Sequence, residues 1–157
     1  MTALSLGLTL ALGAAQSLAA LGQAPTVVSP PSAGAATPAA RIQAATTGVD
    51  SRLYTSHPLQ LENGTLILEY ATPAGQVFAV SWRGPVLPDL SLLLGEFFSN
   101  YKVETDHARA LGKRGSPVNV MSSKLIVRSS GRMRSFAGYA YVPELIPSGV
   151  NINNVLQ

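Results

Sequence analysis

Asn63-Gly64 and Pro73-Ala74-Gly75 cut one apolar-rich stretch into three runs, Leu53 to Leu61, Thr65 to Ala71 and Gln76 to Trp82. Asn-Gly accepts the positive φ that a two-residue hairpin demands, and Pro-x-Gly makes the next longer connection. The runs alternate with the period of a strand, so an antiparallel meander is predicted. In it Leu66, Leu68 and Tyr70 share a face, as do Phe78, Val80 and Trp82, with Val77, Ala79 and Ser81 on the reverse side. Large aromatic area is costly to leave wet, so the side carrying Phe78 and Trp82 is expected to be the core, with Ala79 and Ser81 exposed.

Gly84-Pro85 and Pro88 end the third run, and Asp89 stands as an N-cap before LSLLLGEFFSNYK. Leu90, Leu93, Leu94, Phe97, Phe98 and Tyr101 form one apolar stripe at helical spacing, which should lie across the aromatic side of the sheet. Gly95 within it costs about 1 kcal/mol relative to Ala and permits close backbone approach. A polar, Gly-broken loop follows, then VNVMS, KLIVRSS and a run from Arg132 to Val142, three further strands with Gly131 as a turn. The tail from Pro143 is placed on the surface, anchored by Leu145, Ile146 and Val150. The fold class is therefore α+β, an antiparallel sheet of five to six strands packed on one amphipathic helix.

A chain of 157 residues, 46% hydrophobic and 12% charged, suffices for one core. The first twenty residues carry no charged side chain and hold a Leu-rich run from Leu4 to Ala15, too short to span a bilayer comfortably but suited to a signal-peptide h-region. Ser17 and Ala19 match the small-residue pattern of a signal-peptidase site, so cleavage is expected after Ala19. Residues 20–51 are read as a Pro/Ala/Ser-rich disordered linker and 52–157 as the domain. There is no cysteine, hence neither a disulfide framework nor a thiolate metal site. These features point to a periplasmic or secreted protein without a transmembrane span after cleavage.

The stretches LEYATPAGQVFAVSWRGPVLPDLSLLLGEFF and LIVRSSGRMRSFAGYAYVPELIPSGV resemble exported proteobacterial proteins catalogued as domain of unknown function 2844. The shared order is the Pro73-x-Gly75 turn, the aromatic strand Phe78 to Trp82, Gly84-Pro85, the helix start Pro88 to Leu90, the turn Ser130 to Arg134, and Tyr141-x-Pro143. The long Pro/Ala insert after Gly22 and the uncharged N-terminus depart from it. The resemblance implies export and the extent of the domain, and carries no activity.

Catalytic constellations are sparse. Two histidines, His57 on a strand and His107 in the loop after the helix, cannot build a multi-His metal site. A small hydrolase would need His57 and Glu69 as base and orienter for one of Ser122, Ser123, Ser129 or Ser130, yet none of these serines stands in a G-x-S-x-G or S-x-x-K motif. Gly112-Lys113-Arg114 lacks the other elements of a phosphate loop. No cofactor is expected.

Charge is the anomaly. Between His107 and Arg134 lie Arg109, Lys113, Arg114, Lys124, Arg128, Arg132 and Arg134 with no acid, whereas the rest of the chain holds four basic against eight acidic side chains. On a strand Lys124 and Arg128 share a face, and Arg132 and Arg134 follow across the next turn. Such clustering favours an anionic partner: an envelope component such as lipid headgroup, lipopolysaccharide or wall polymer, or an acidic protein. Nucleic acid is not expected, because no aromatic residue is interleaved among these charges before Phe136. The candidate binding residues are Arg128, Arg132, Arg134, Lys124, Arg114 and Lys113, on a non-enzymatic envelope module. A hydrolase built on His57 and a structural envelope component are the alternatives.

Overall fold

The computed structural model describes residues 20–26, 52–113, 115 and 117–156. The signal segment, most of the linker and Arg114 lie outside the described residues. Six strands form one sheet: β1 (Thr55–Gln60), β2 (Leu66–Ala71), β3 (Val77–Gly84), β4 (Val118–Met121), β5 (Ile126–Arg132) and β6 (Ser135–Tyr141). Their order is β1-β2-β3-β6-β5-β4, antiparallel throughout, so two three-stranded meanders meet where β3 pairs with β6. Pro58 sits in β1, an edge strand, where its missing N–H is tolerated.

The connection between the meanders is helical. Asp89 caps α1 (Leu90–Leu94), its carboxylate accepting from the Ser91 N–H at 2.8 Å, and a 3₁₀ turn over Gly95–Phe97 leads into α2 (Phe98–Ala110). Hydrogen bonds from the Ser91 hydroxyl and backbone hold the Asp89 carboxyl below its ordinary value. The helix therefore runs further than the apolar stripe implied, and His107 is helical rather than in a loop. Beyond Tyr101 the sheet-side position passes to buried Thr105, whose hydroxyl donates to the Tyr101 carbonyl at 2.9 Å, and Asp106 pairs with Lys102 and Arg109 on the solvent side.

Under these helices Ile67, Val80, Trp82, Val120, Val127 and Ala140 pack with Leu90, Leu93 and Leu94. Trp82 is 2% exposed. Gly138 stands directly opposite it on β6, where a Cβ would lie 2.5 Å from the indole, so glycine makes room for the ring. Gly131 behaves likewise: it is a strand residue covered by the Phe136 ring, and the expected turn there shifts to Met133 and Arg134. Arg134 takes the positive φ of that tight hairpin, 61°.

The domain does not begin at Arg52. Leu21 is fully buried in this core, and the N–H of Leu21 donates to the Leu93 carbonyl at 3.0 Å. The segment then bonds to β3 through Gly22 N–H to Val77 O at 2.8 Å and Val77 N–H to Gln23 O at 2.9 Å. Thr26 donates from its backbone N–H and its hydroxyl to the two oxygens of fully buried Glu69, each at 2.9 Å. Gly95, at φ 51°, interrupts the helix where Ala20 approaches, and a Cβ there would lie 2.5 Å from that of Ala20. The alanine-rich composition hid this strap because a single leucine and backbone bonds anchor it.

The reverse face of the sheet is covered only in part. A register shift at Tyr70/Ala71 leaves Phe78 without a partner on β2 and turns it to this second side, where it meets Tyr54 edge-on at 6.2 Å. The sequence placed Phe78 with Trp82 and left Ala79 exposed; instead Phe78 and Ala79 are both fully buried in the second cluster. The tail supplies the cover, since Leu145, Ile146, Val150 and the residues of α3 (Ile152–Val155) pack there.

Candidate functional site

Where the tail stops, the second face stays open. Cross-strand pairing sets Leu66, Arg83, Ala137 and Ser130 in one row, and Leu68, Ser81, Tyr139, Arg128 and Asn119 in the next. These rows line a groove of about 640 Å³ bordered by Tyr70 and Leu156. Arg83 and Arg128 stand two strands and one row apart, about 12 Å between backbones at ordinary sheet spacings, close enough for two long side chains to converge on one ligand.

Its electrostatics are simple. Among the described residues no carboxylate lines the groove, and the ion pairs are those of Asp106 with Lys102 and Arg109. Burial pushes the Tyr70 hydroxyl up, partly countered by a hydrogen bond with Ser81 and reinforced by Tyr54. Burial also raises Tyr141, helped by Tyr139 stacked beside it at 6.3 Å and opposed by Arg128. With their hydroxyls raised, Tyr70 and Tyr141 stay neutral at physiological pH, and guanidinium groups are the formal charges that line the groove.

The expected basic cluster is only partly assembled. Arg128 enters the groove, and Arg132 follows on the same face at the end of β5, paired with Ser135. Arg134 occupies the adjoining hairpin tip. Lys124 lies beyond the opposite end of β5, about 13 Å along the strand from Arg128 and about 26 Å from Arg132, and Lys113 follows α2. Both are exposed. Arg114 lies outside the described residues. Arg83 joins the site from β3, outside the basic stretch of His107 to Arg134; strand alternation beside Trp82 was the signal, since if the tryptophan faces the core its neighbour faces away.

Catalytic pairing is not assembled. His57 is in register with Glu69, but its Nε2 lies 3.0 Å from the Thr55 hydroxyl and Glu69 is engaged by Thr26. Ser129 and Ser130 stand four strands away on β5, roughly 19 Å at sheet spacing, and Ser122 is held in the β4–β5 turn by Leu125. Among the described residues no group of three or more His, Asp or Glu is placed to hold a metal, and no helix is long and apolar enough to cross a membrane.

Fold and groove define an α+β domain with a helix-covered sheet and a basic, tyrosine-lined open face. The chain belongs to the family described as "Protein of unknown function (DUF2844)", which matches residues 17–155. No curated protein and no solved structure matches it.

Proposed function

We propose that this is an exported, non-enzymatic envelope protein that binds an anionic partner in the open-face groove. The observation that carries the binding is the placement of Arg83 and Arg128 on either side of Ser81, Ala137 and Tyr139, with no acid among the described residues that line the groove. Two unopposed guanidinium groups repel each other, and an anion between them relieves that repulsion while accepting their forked donors. Tyr139, Ser130 and Asn119 add neutral hydrogen-bonding groups.

Export rests on the Leu4 to Ala15 run and the Ser17-x-Ala19 pair. A cut after Ala19 leaves the strap from Ala20 to Thr26 whole. Mass spectrometry of the mature protein should find Ala20 at its start; an intact Met1 would contradict export by this route.

Calorimetric titration with pyrophosphate as a soluble probe tests the groove. Binding should weaken as salt rises, because the contacts are exposed and the Debye length is roughly 8 Å at physiological ionic strength. Arg83→Gln combined with Arg128→Gln should abolish it, whereas Lys113→Gln combined with Lys124→Gln should leave it intact. Salt-insensitive binding, or binding that survives the first double variant, would remove the groove from the account.

A further inference from the structure

The sheet has one end that differs from the rest of the surface. The β1–β2 turn, the exit of β3 and the β5–β6 hairpin tip meet there, because Leu66 pairs with Arg83 and Gly84 with Phe136. The Thr65 hydroxyl ties the first two together by donating to the Val86 carbonyl at 2.8 Å. These segments expose Leu66 by 42%, Val86 by 45%, Leu87 by 40% and Met133 by 96%. Leu92, Val103 and Leu111 lie along the helices, and Met121 is at the far end of β4.

The same end is basic. Arg83, Arg132 and Arg134 belong to it, and Glu62 is the acid within residues 61–66, 83–88 and 131–136. Met133 thus projects from a tip flanked on both sides by arginine, with Arg134 held there at φ 61°. Apolar side chains at the protruding points with cations beside them match an anionic lipid surface, where the former enter the acyl boundary and the latter meet headgroups. A soluble acidic polymer would use the charges and leave the four apolar side chains wet. The groove row containing Arg83, Ala137 and Ser130 adjoins this end, so a headgroup would reach it from the lipid side.

We propose that this end of the sheet docks on the surface of an anionic lipid membrane. The inference names the partner for the groove and rests on that reading.

Vesicle co-sedimentation with the full chain tests it, comparing phosphatidylglycerol with phosphatidylcholine vesicles. Binding should require phosphatidylglycerol. Arg132→Gln and Arg134→Gln should each weaken it by about fivefold, and Met133→Ser with Leu87→Ser by about tenfold or more. The apolar variants should leave pyrophosphate affinity unchanged, which also shows that they fold. Pyrophosphate binding without vesicle binding, or vesicle binding indifferent to the Met133 and Leu87 changes, would overturn the membrane assignment and leave the groove standing. Tighter, equally indifferent binding to soluble polyglutamate would overturn it too. Absence of both vesicle and pyrophosphate binding would overturn both.

Discussion

The two faces of the sheet have been closed by different means, and their chemistry differs accordingly. The helix side is sealed by α1, α2 and the strap around Leu21, and the carboxyl buried there, that of Glu69, accepts two hydrogen bonds from Thr26. Among the described residues the tail side is sealed only over Tyr70, Phe78 and Ala79, and beyond Leu156 Arg83 and Arg128 stand exposed. One strand serves both: Trp82 points into the sealed side and its neighbour Arg83 out of the open one. Stability should therefore reside on one face and binding on the other.

Substitutions can break that division, the largest effect first. Trp82→Ala should cost about 3–5 kcal/mol in denaturant unfolding, since it empties the centre of the helix-side core. Trp82→Phe should cost much less, because the indole N–H meets no acceptor among the described residues and its loss removes a buried unsatisfied donor. A parent-like Trp82→Ala would show that the helix side is not where stability resides.

Leu21→Ala comes next, at about 2–5 kcal/mol, although the residue lies far from the rest of the domain in sequence. Full stability in a chain lacking residues 20–26 would demote the strap to an ornament. Asp89→Ala should cost about 1 kcal/mol through the lost cap. Because the folded carboxyl titrates below its ordinary value, that contribution is present above the unfolded value and disappears as pH falls through the folded one. Urea titrations of Asp89→Ala and the parent should converge in acid, and a gap that persisted there would contradict the capping role.

Smallest in stability, Arg83→Gln and Arg128→Gln should each change it by no more than about 0.5 kcal/mol while removing anion binding. From the protein side, that binding should stay flat across neutral pH and decline only when the raised tyrosines ionise and add repulsion. A step near the histidine range would point to a different site.

Much of this division was legible in the sequence, and the losses have physical reasons. The turn at Asn63-Gly64, the cap at Asp89 and the stripe to Tyr101 report local backbone demands, and local demands are what spacing records. Val77 and Phe78 were each placed on the wrong side because the bulge shifts the alternation of β3 by one residue, which strand spacing does not record. The strap from Leu21 to Gln23 was missed because its partners, Leu93 and Val77, are distant along the chain. The basic cluster was drawn from neighbours in sequence, whereas a sheet of order β1-β2-β3-β6-β5-β4 gathers Arg83 with Arg128 and sends Lys124 to the opposite end of β5.

An amide chemical-shift map of the protein titrated with pyrophosphate tests the separation of the faces most directly. The account predicts perturbations concentrated at Arg83, Arg128, Ser130 and Tyr139, with Leu21, Leu93 and Leu94 unmoved. Perturbations centred on Lys113 and Lys124, or spread across the helix side, would contradict it.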